Sequence, residues 1–216
     1  MKILLATPRD RTETWRAALA TALPEATIAL WPEAPPKPEY ALVWKAPAEM
    51  FARVRPTKAI FNLGAGANAL LDAPGLPGDI PVIRLEDAGM AVQMAEYVTL
   101  AVLRAYREAD AYAAQQNKGH WQPRPRIAKI GFGVGILGFG VLGRSVAEAL
   151  APFGFPLSGW SRERKTVPGV KSFAGHAELP EILGRSRVLV CLLPVTPETR
   201  GLLGQANLKK RSESVV

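Results

Sequence analysis

Apolar residues in the first ninety positions fall in short runs, separated by polar stretches that carry proline. Lys2-Ile3-Leu4-Leu5-Ala6, closed by Pro8, predicts a strand, and residues 14–23 predict an amphipathic helix stopped by Pro24. Further strands are predicted over residues 27–31, 40–44, 59–63 and 81–85, and four prolines between Pro32 and Pro38 force a loop. Strands alternating with helical segments imply a parallel sheet covered on both faces.

The period then changes. Residues 90–117 contain no Gly or Pro, and apolar residues recur at Met94, Tyr97, Val98, Ala101, Val102 and Ala105. This predicts one continuous helix of about 40 Å. Residues 118–129 are basic, carry Pro123 and Pro125, and read as an exposed connection. A second alternating unit follows: strand 134–137, helix 141–150, strand 155–160, a basic loop, helix 177–183 and strand 188–193. Cys191, inside the last apolar run, is expected to be buried.

Within that unit, Gly138, Gly140 and Gly143 form a G-x-G-x-x-G pattern, with Phe139, Val141 and Leu142 between them. It follows an apolar strand and opens an amphipathic helix, the context that turns a weak pattern into a dinucleotide site. Gly138 permits the tight turn, Gly140 the approach of a pyrophosphate, and Gly143 close packing of helix on strand. A glycine-rich turn with no ligand is the bland alternative. After the next strand the chain reads Trp160-Ser161-Arg162-Glu163-Arg164-Lys165, with no carboxylate directly at the strand end. Ser161 can bond an adenosine 2′-phosphate and Arg162, Arg164 and Lys165 can neutralise it, so NADP(H) is favoured over NAD(H), with Glu163 as a contrary charge.

Composition narrows the classes. The 216 residues are 48% hydrophobic and 21% charged, an ordinary globular balance. A single cysteine and two histidines leave no disulfide framework and little for a metal site. No secretory signal or membrane span is read, so a cytoplasmic location is expected. The formal charge of +8 permits nucleic acid, but the basic residues are scattered and no recognition motif occurs, so no nucleic-acid or membrane partner is expected.

The segment Leu192-Leu193-Pro194-Val195-Thr196-Pro197-Glu198-Thr199-Arg200-Gly201-Leu202 resembles the LPLTPETRGL signature of the D-isomer-specific 2-hydroxyacid dehydrogenases. The runs around Trp44, Gly64-Ala65-Gly66, Arg84-Leu85-Glu86-Asp87, Gln93 to Tyr97, His120-Trp121-Gln122-Pro123 and Ser172 to Gly175 resemble its glyoxylate- and hydroxypyruvate-reducing branch. The resemblance implies an α/β chain with a flavodoxin-like N-terminal domain and a Rossmann dinucleotide-binding domain. The expected boundaries are 1–92 for the substrate-binding domain, 93–129 for a dimerisation helix and connection, and 130–216 for the nucleotide domain. It implies reduction of small 2-keto acids by NADPH, with a homodimer as the working form. Gly64, Ala65 and Gly66 would hold the substrate carboxylate through backbone amides, with Trp44 as a pocket wall and Arg84 near it. Leu193, Pro194 and Thr199 would pack along the cofactor, and Trp121 would reach a neighbouring subunit.

The same resemblance places the catalytic Arg, Glu and His beyond Val216, in N-x-A-R-G and P-H-x-A segments that this sequence lacks. No catalytic residue is therefore assigned, and neither His120 nor His176 is a substitute. The nucleotide domain is expected to be incomplete at its C-terminus, through a frameshift or early stop, with residues 211–216 matching no family pattern. The last strand would then show an apolar edge. A non-catalytic dinucleotide-binding fragment stands as the alternative.

Overall fold

The computed structural model describes residues 1–33, 37–64, 66–85 and 87–209. Part of the proline loop, the expected substrate contact Ala65 and the tail at 211–216 lie outside the described residues. The chain divides into two compact units, Met1–Glu86 and Asp87–Val216.

In the first unit, strands β1 (Lys2–Ala6), β2 (Thr27–Leu30), β3 (Tyr40–Val43), β4 (Ala59–Asn62) and β5 (Val82–Arg84) form one sheet in the order β2-β1-β3-β4-β5. Every pair is parallel. This is the flavodoxin-like order expected above. Four consecutive residues of β1 are buried, as they must be in a sheet covered on both faces. Helix α1 (Arg9–Ala22) and the single turns α2 (Met50–Arg53) and α3 (Asn68–Leu71) cover it. Leu4, Ala6, Ala41, Val43 and Ile60 pack there with Met50, Phe51, Val54 and Leu70. Helix α1 begins five residues before the expected start, immediately after Pro8. Proline is restrictive inside a helix but compatible with its entrance, so the residue expected only to end β1 also opens α1.

The second unit begins with α4 (Met90–Tyr106) and α5 (Ala109–Asn117). These are two helices where one was expected. Glu108 breaks the run by adopting a left-handed conformation at φ 51°. Its carboxylate accepts a 2.7 Å hydrogen bond from Arg124 in the following connection. The buried face of α4 also differs from the expected one. Ala91, Ala95, Val98 and Val102 are buried, whereas Tyr97 is 71% exposed.

The sheet of this unit contains β6 (Val134–Leu137), β7 (Leu157–Ser161), β8 (Val170–Ala174) and β9 (Val188–Cys191), all parallel, in the order β8-β7-β6-β9. It matches the first four positions of the doubly wound dinucleotide-binding order. Helix α6 (Val141–Leu150) packs with α4 on one face, where Val98, Val102, Phe132, Val134, Ile136, Val146 and Leu150 form the core. Helix α7 (Gly175–Arg185) covers the other face, with Leu137, Trp160, Phe173, Leu179, Ile182 and Leu183. A last turn, α8, spans Gln205–Leu208. Strand β8 lies where the sequence predicts a basic loop, because only Phe173 of its five residues is buried and a sheet edge leaves a weak apolar pattern. Cys191 is exposed rather than buried, since β9 is the other edge of the sheet. Among the described residues no helix is long and apolar enough to cross a membrane.

Leu150 is fully buried between α4 and the sheet. Leu150→Ala is expected to cost about 2–5 kcal/mol, read as a lower urea midpoint at unchanged slope.

Candidate functional site

The carboxyl end of β6 lies where the strand order reverses between β6 and β9, the position at which open α/β sheets bind ligands. Gly138 leaves β6 with φ 94°, and a Cβ there would lie 2.8 Å from the Leu192 carbonyl. The N–H groups of Gly138 and Phe139 both donate to the Trp160 carbonyl, at 3.0 and 3.2 Å. A Cβ on Gly143 would lie 2.5 Å from the Gly138 oxygen. Both positions are therefore closed by backbone, which cannot rotate away. Gly140 is the opposite case: nothing lies within 4 Å of its missing Cβ. Gly140 is also the N-cap of α6, without a side-chain cap. The first helical amides, at Val141, Leu142 and Gly143, thus border open space beside a positive helix end. This arrangement fits a pyrophosphate. Phe139 contributes through its backbone, because its ring is buried over Gly159.

Beyond β7, the basic loop divides its tasks. Arg164 is engaged by Glu178 and by the Ser172 carbonyl. Ser161 Oγ donates to the Glu163 carbonyl at 2.6 Å, and Arg162 is exposed. Lys165 Nζ donates to the Phe139 carbonyl at 2.9 Å, which ties the basic loop to the glycine turn. Sequence reasoning gave no sign of this link.

The segment after β9 is held against the glycine turn by the Leu192 N–H, which donates to the Leu137 carbonyl at 2.8 Å. Leu193 is half-buried and Pro194 is exposed. Thr199 Oγ1 accepts from the Thr196 N–H at 2.8 Å and donates to the Pro194 carbonyl. Its hydroxyl therefore fixes the shape of this segment. The Glu198 carboxyl is held below its ordinary value, first by a hydrogen bond from Thr196, with Arg162 adding a weaker pull.

In the first unit, a cavity of about 210 Å³ is lined by Trp44, Lys45, Ala46, Asn62, Gly64, Gly66, Ala69 and Leu70. The structure thus brings together Trp44, Gly64 and Gly66 of the expected substrate residues. Arg84 is exposed at the end of β5 and does not line the cavity. A Cβ on Gly64 would come within 3.2 Å of the Trp44 indole. Asn62 was not anticipated. Its side chain is buried, and Nδ2 donates to the carbonyls of Gly64 and Gly66 at 2.7 and 3.2 Å. A buried amide at the end of an apolar strand was the available signal. By binding these carbonyls, Asn62 fixes the turn that was expected to offer its amides. His120 contacts Gln122, and His176 lies edge-on to Trp160, so both histidines have structural surroundings.

The parallel sheet, the three-glycine turn and the segment pinned beside it define a dinucleotide-binding chain of the NAD(P)-dependent oxidoreductase class. The family profile for the D-isomer specific 2-hydroxyacid dehydrogenase, NAD binding domain, matches residues 99–216. The chain belongs to the D-isomer-specific 2-hydroxyacid dehydrogenase family. It is 46% identical over 219 residues to glyoxylate/hydroxypyruvate reductase A of Enterobacter sp. (strain 638), spanning 99% of this chain and 70% of that protein. A D-isomer specific 2-hydroxyacid dehydrogenase from Xanthobacter autotrophicus Py2, solved with NADPH and MES, superposes with a TM-score of 0.91 at 37% identity, covering 99% of this chain and 70% of that one. The NADPH-dependent glyoxylate/hydroxypyruvate reductase of Sinorhizobium meliloti, solved with NADP and sulfate, gives 0.89 at 35% identity, over 98% and 68% of the two chains.

The Glu178 carboxyl is held below the usual glutamate value, first by the Ala174 N–H at 2.6 Å and then by Arg164. A depressed folded pKa stabilises the loop above the ordinary glutamate pKa, and that contribution is lost as pH falls through the lower folded value. Arg164→Ala is expected to return the Glu178 pKa only part of the way, as read by carboxyl NMR titration, because the amide contact remains.

Proposed function

We propose that this chain binds NADPH at residues 138–143 and 161–165 and takes a small 2-keto acid, glyoxylate or hydroxypyruvate, in the cavity at Trp44. The observation that carries the reading is the contrast among the three glycines. Two are closed by backbone, while the third faces open space at an uncapped helix end. Bound NADPH supplies a hydride. The amides of Val141, Leu142 and Gly143 neutralise the pyrophosphate, and Ser161, Arg162 and Lys165 take the 2′-phosphate. Leu193, Pro194 and the turn fixed by Thr199 flank the cofactor. In the first unit, the turn at Gly64 and Gly66 receives the substrate carboxylate and Trp44 forms a wall.

The relatives support this assignment: one is a glyoxylate/hydroxypyruvate reductase by name, and solved neighbours hold NADPH or NADP. In this reading residues 1–92 serve the substrate, residues 130–216 serve the cofactor, and residues 93–129 serve dimerisation. The outward face of α4 fits that last role, with Tyr97 and Leu100 exposed, as does Trp121 at 91% exposure. A second reading is dinucleotide binding without turnover. Purified chain assayed with glyoxylate and NADPH separates the two.

Binding is tested by thermal melts with each cofactor. NADPH at a hundredfold excess over Kd is expected to stabilise the fold by about 2.7 kcal/mol. Gly140→Ala should keep the ligand-free melting temperature and lose the NADPH shift. Gly143→Ala should lower the ligand-free melting temperature itself. Arg162→Ala should weaken NADPH about tenfold, or about 1.4 kcal/mol, and leave NADH unchanged. Equal stabilisation by NADH and NADPH, insensitive to Arg162, would overturn the NADP assignment.

A further inference from the structure

Among the described residues, Lys45 is the one charged residue lining the first unit's cavity, with no carboxylate beside it. Its position follows from the fold. It stands two residues beyond β3, at the carboxyl end of the sheet, where ligands of open α/β sheets are bound. Its backbone is unusual, with φ 57°, in the left-handed region that glycine adopts freely and a side-chain-bearing residue adopts at a cost. Some cations of this unit find acids, Lys58 pairing with Glu39 and Arg55 with Asp79. Among the described residues, Lys45 has no ion-pair partner. The same cavity is lined by Gly64 and Gly66, whose carbonyls accept from Asn62. Acceptors on that turn are thus bound within the protein, and the cavity's remaining charge is positive.

We propose that the Lys45 ammonium is the counter-charge for the carboxylate of the 2-keto acid, acting with the turn amides and setting a preference for anionic over neutral carbonyl compounds. The proposal rests on reading this cavity as the substrate seat. It assigns a reason for the left-handed backbone, because strain of this kind persists where a site requires the side chain in one place. No bond is made or broken by Lys45. It binds and orients.

The test uses the full chain labelled with nitrogen-15 and oxamate, an unreactive monocarboxylate of substrate size, as the probe. The Trp44 indole N–H signal, assigned by its loss in Trp44→Phe, reports occupancy. Oxamate should shift this signal saturably, and added sodium chloride should weaken binding, as screening of an exposed charge requires. Lys45→Met should weaken oxamate at least tenfold and remove most of the salt dependence, while Lys45→Arg stays within about threefold of the parent. Lys45→Gly should bind as weakly as Lys45→Met yet melt at a higher temperature than the parent, and it carries the same comparison if the methionine variant does not fold. Unchanged oxamate affinity in Lys45→Met or Lys45→Gly overturns the role of Lys45 and leaves the cavity assignment standing. No shift of the Trp44 signal in the parent chain overturns both.

Discussion

The second unit depends on three backbone segments meeting where no side chain intervenes. The carbonyl of Gly138 sits under Gly143, and the carbonyl of Leu192 sits against Gly138. A methyl group at either glycine would push α6 off β6 or push the segment after β9 away from the turn. The same closeness brings the first amides of α6 to the carboxyl ends of the strands. The open space at the start of α6 and the packing of the sheet are thus one geometrical fact. Close backbone approach of this kind is cooperative, since interiors are packed too densely for one segment to move alone.

Much of this was legible in the sequence, for a physical reason. Strands buried on both faces, such as β1 and β6, are unbroken apolar runs. Glycines that answer to backbone contacts keep a fixed spacing whatever surrounds them. Three features were less visible. Strand β8 buries one side chain, so its pattern is that of a loop. The break at Glu108 carries neither glycine nor proline, and what holds it is the distant Arg124. The rotation of α4 arose because Tyr97 is apolar enough to be counted toward the core while lying outside it. In the first unit, Trp44 and the glycine turn could be named from the chain, but the buried amide of Asn62 that shapes the turn becomes evident only when β4 and the turn are seen together.

The charge of the chain also changes meaning. A formal +8 invites thoughts of polyanions. Yet Arg55, Lys58, Arg104, Arg124 and Arg164 are each paired with a carboxylate at the surface. Exposed pairs of this sort contribute little to stability. Their effect is to fix loops: Arg164 and Glu178 hold the start of α7, and Arg124 and Glu108 hold the break between α4 and α5. The positive charges with assigned tasks are few and local.

The outer edge of β9 has a dynamic consequence. Val188 and Leu192 donate inward, to Gly133 and Leu137 on the β6 side. In a parallel strand the residues between alternate in direction, so the amides of Leu189 and Cys191 face away from β6, where no strand of the described residues pairs with them. Deuterium would therefore enter this strand residue by residue in a saw-tooth: quickly at 189 and 191, slowly at their neighbours, within a stretch of chain that is uniformly extended.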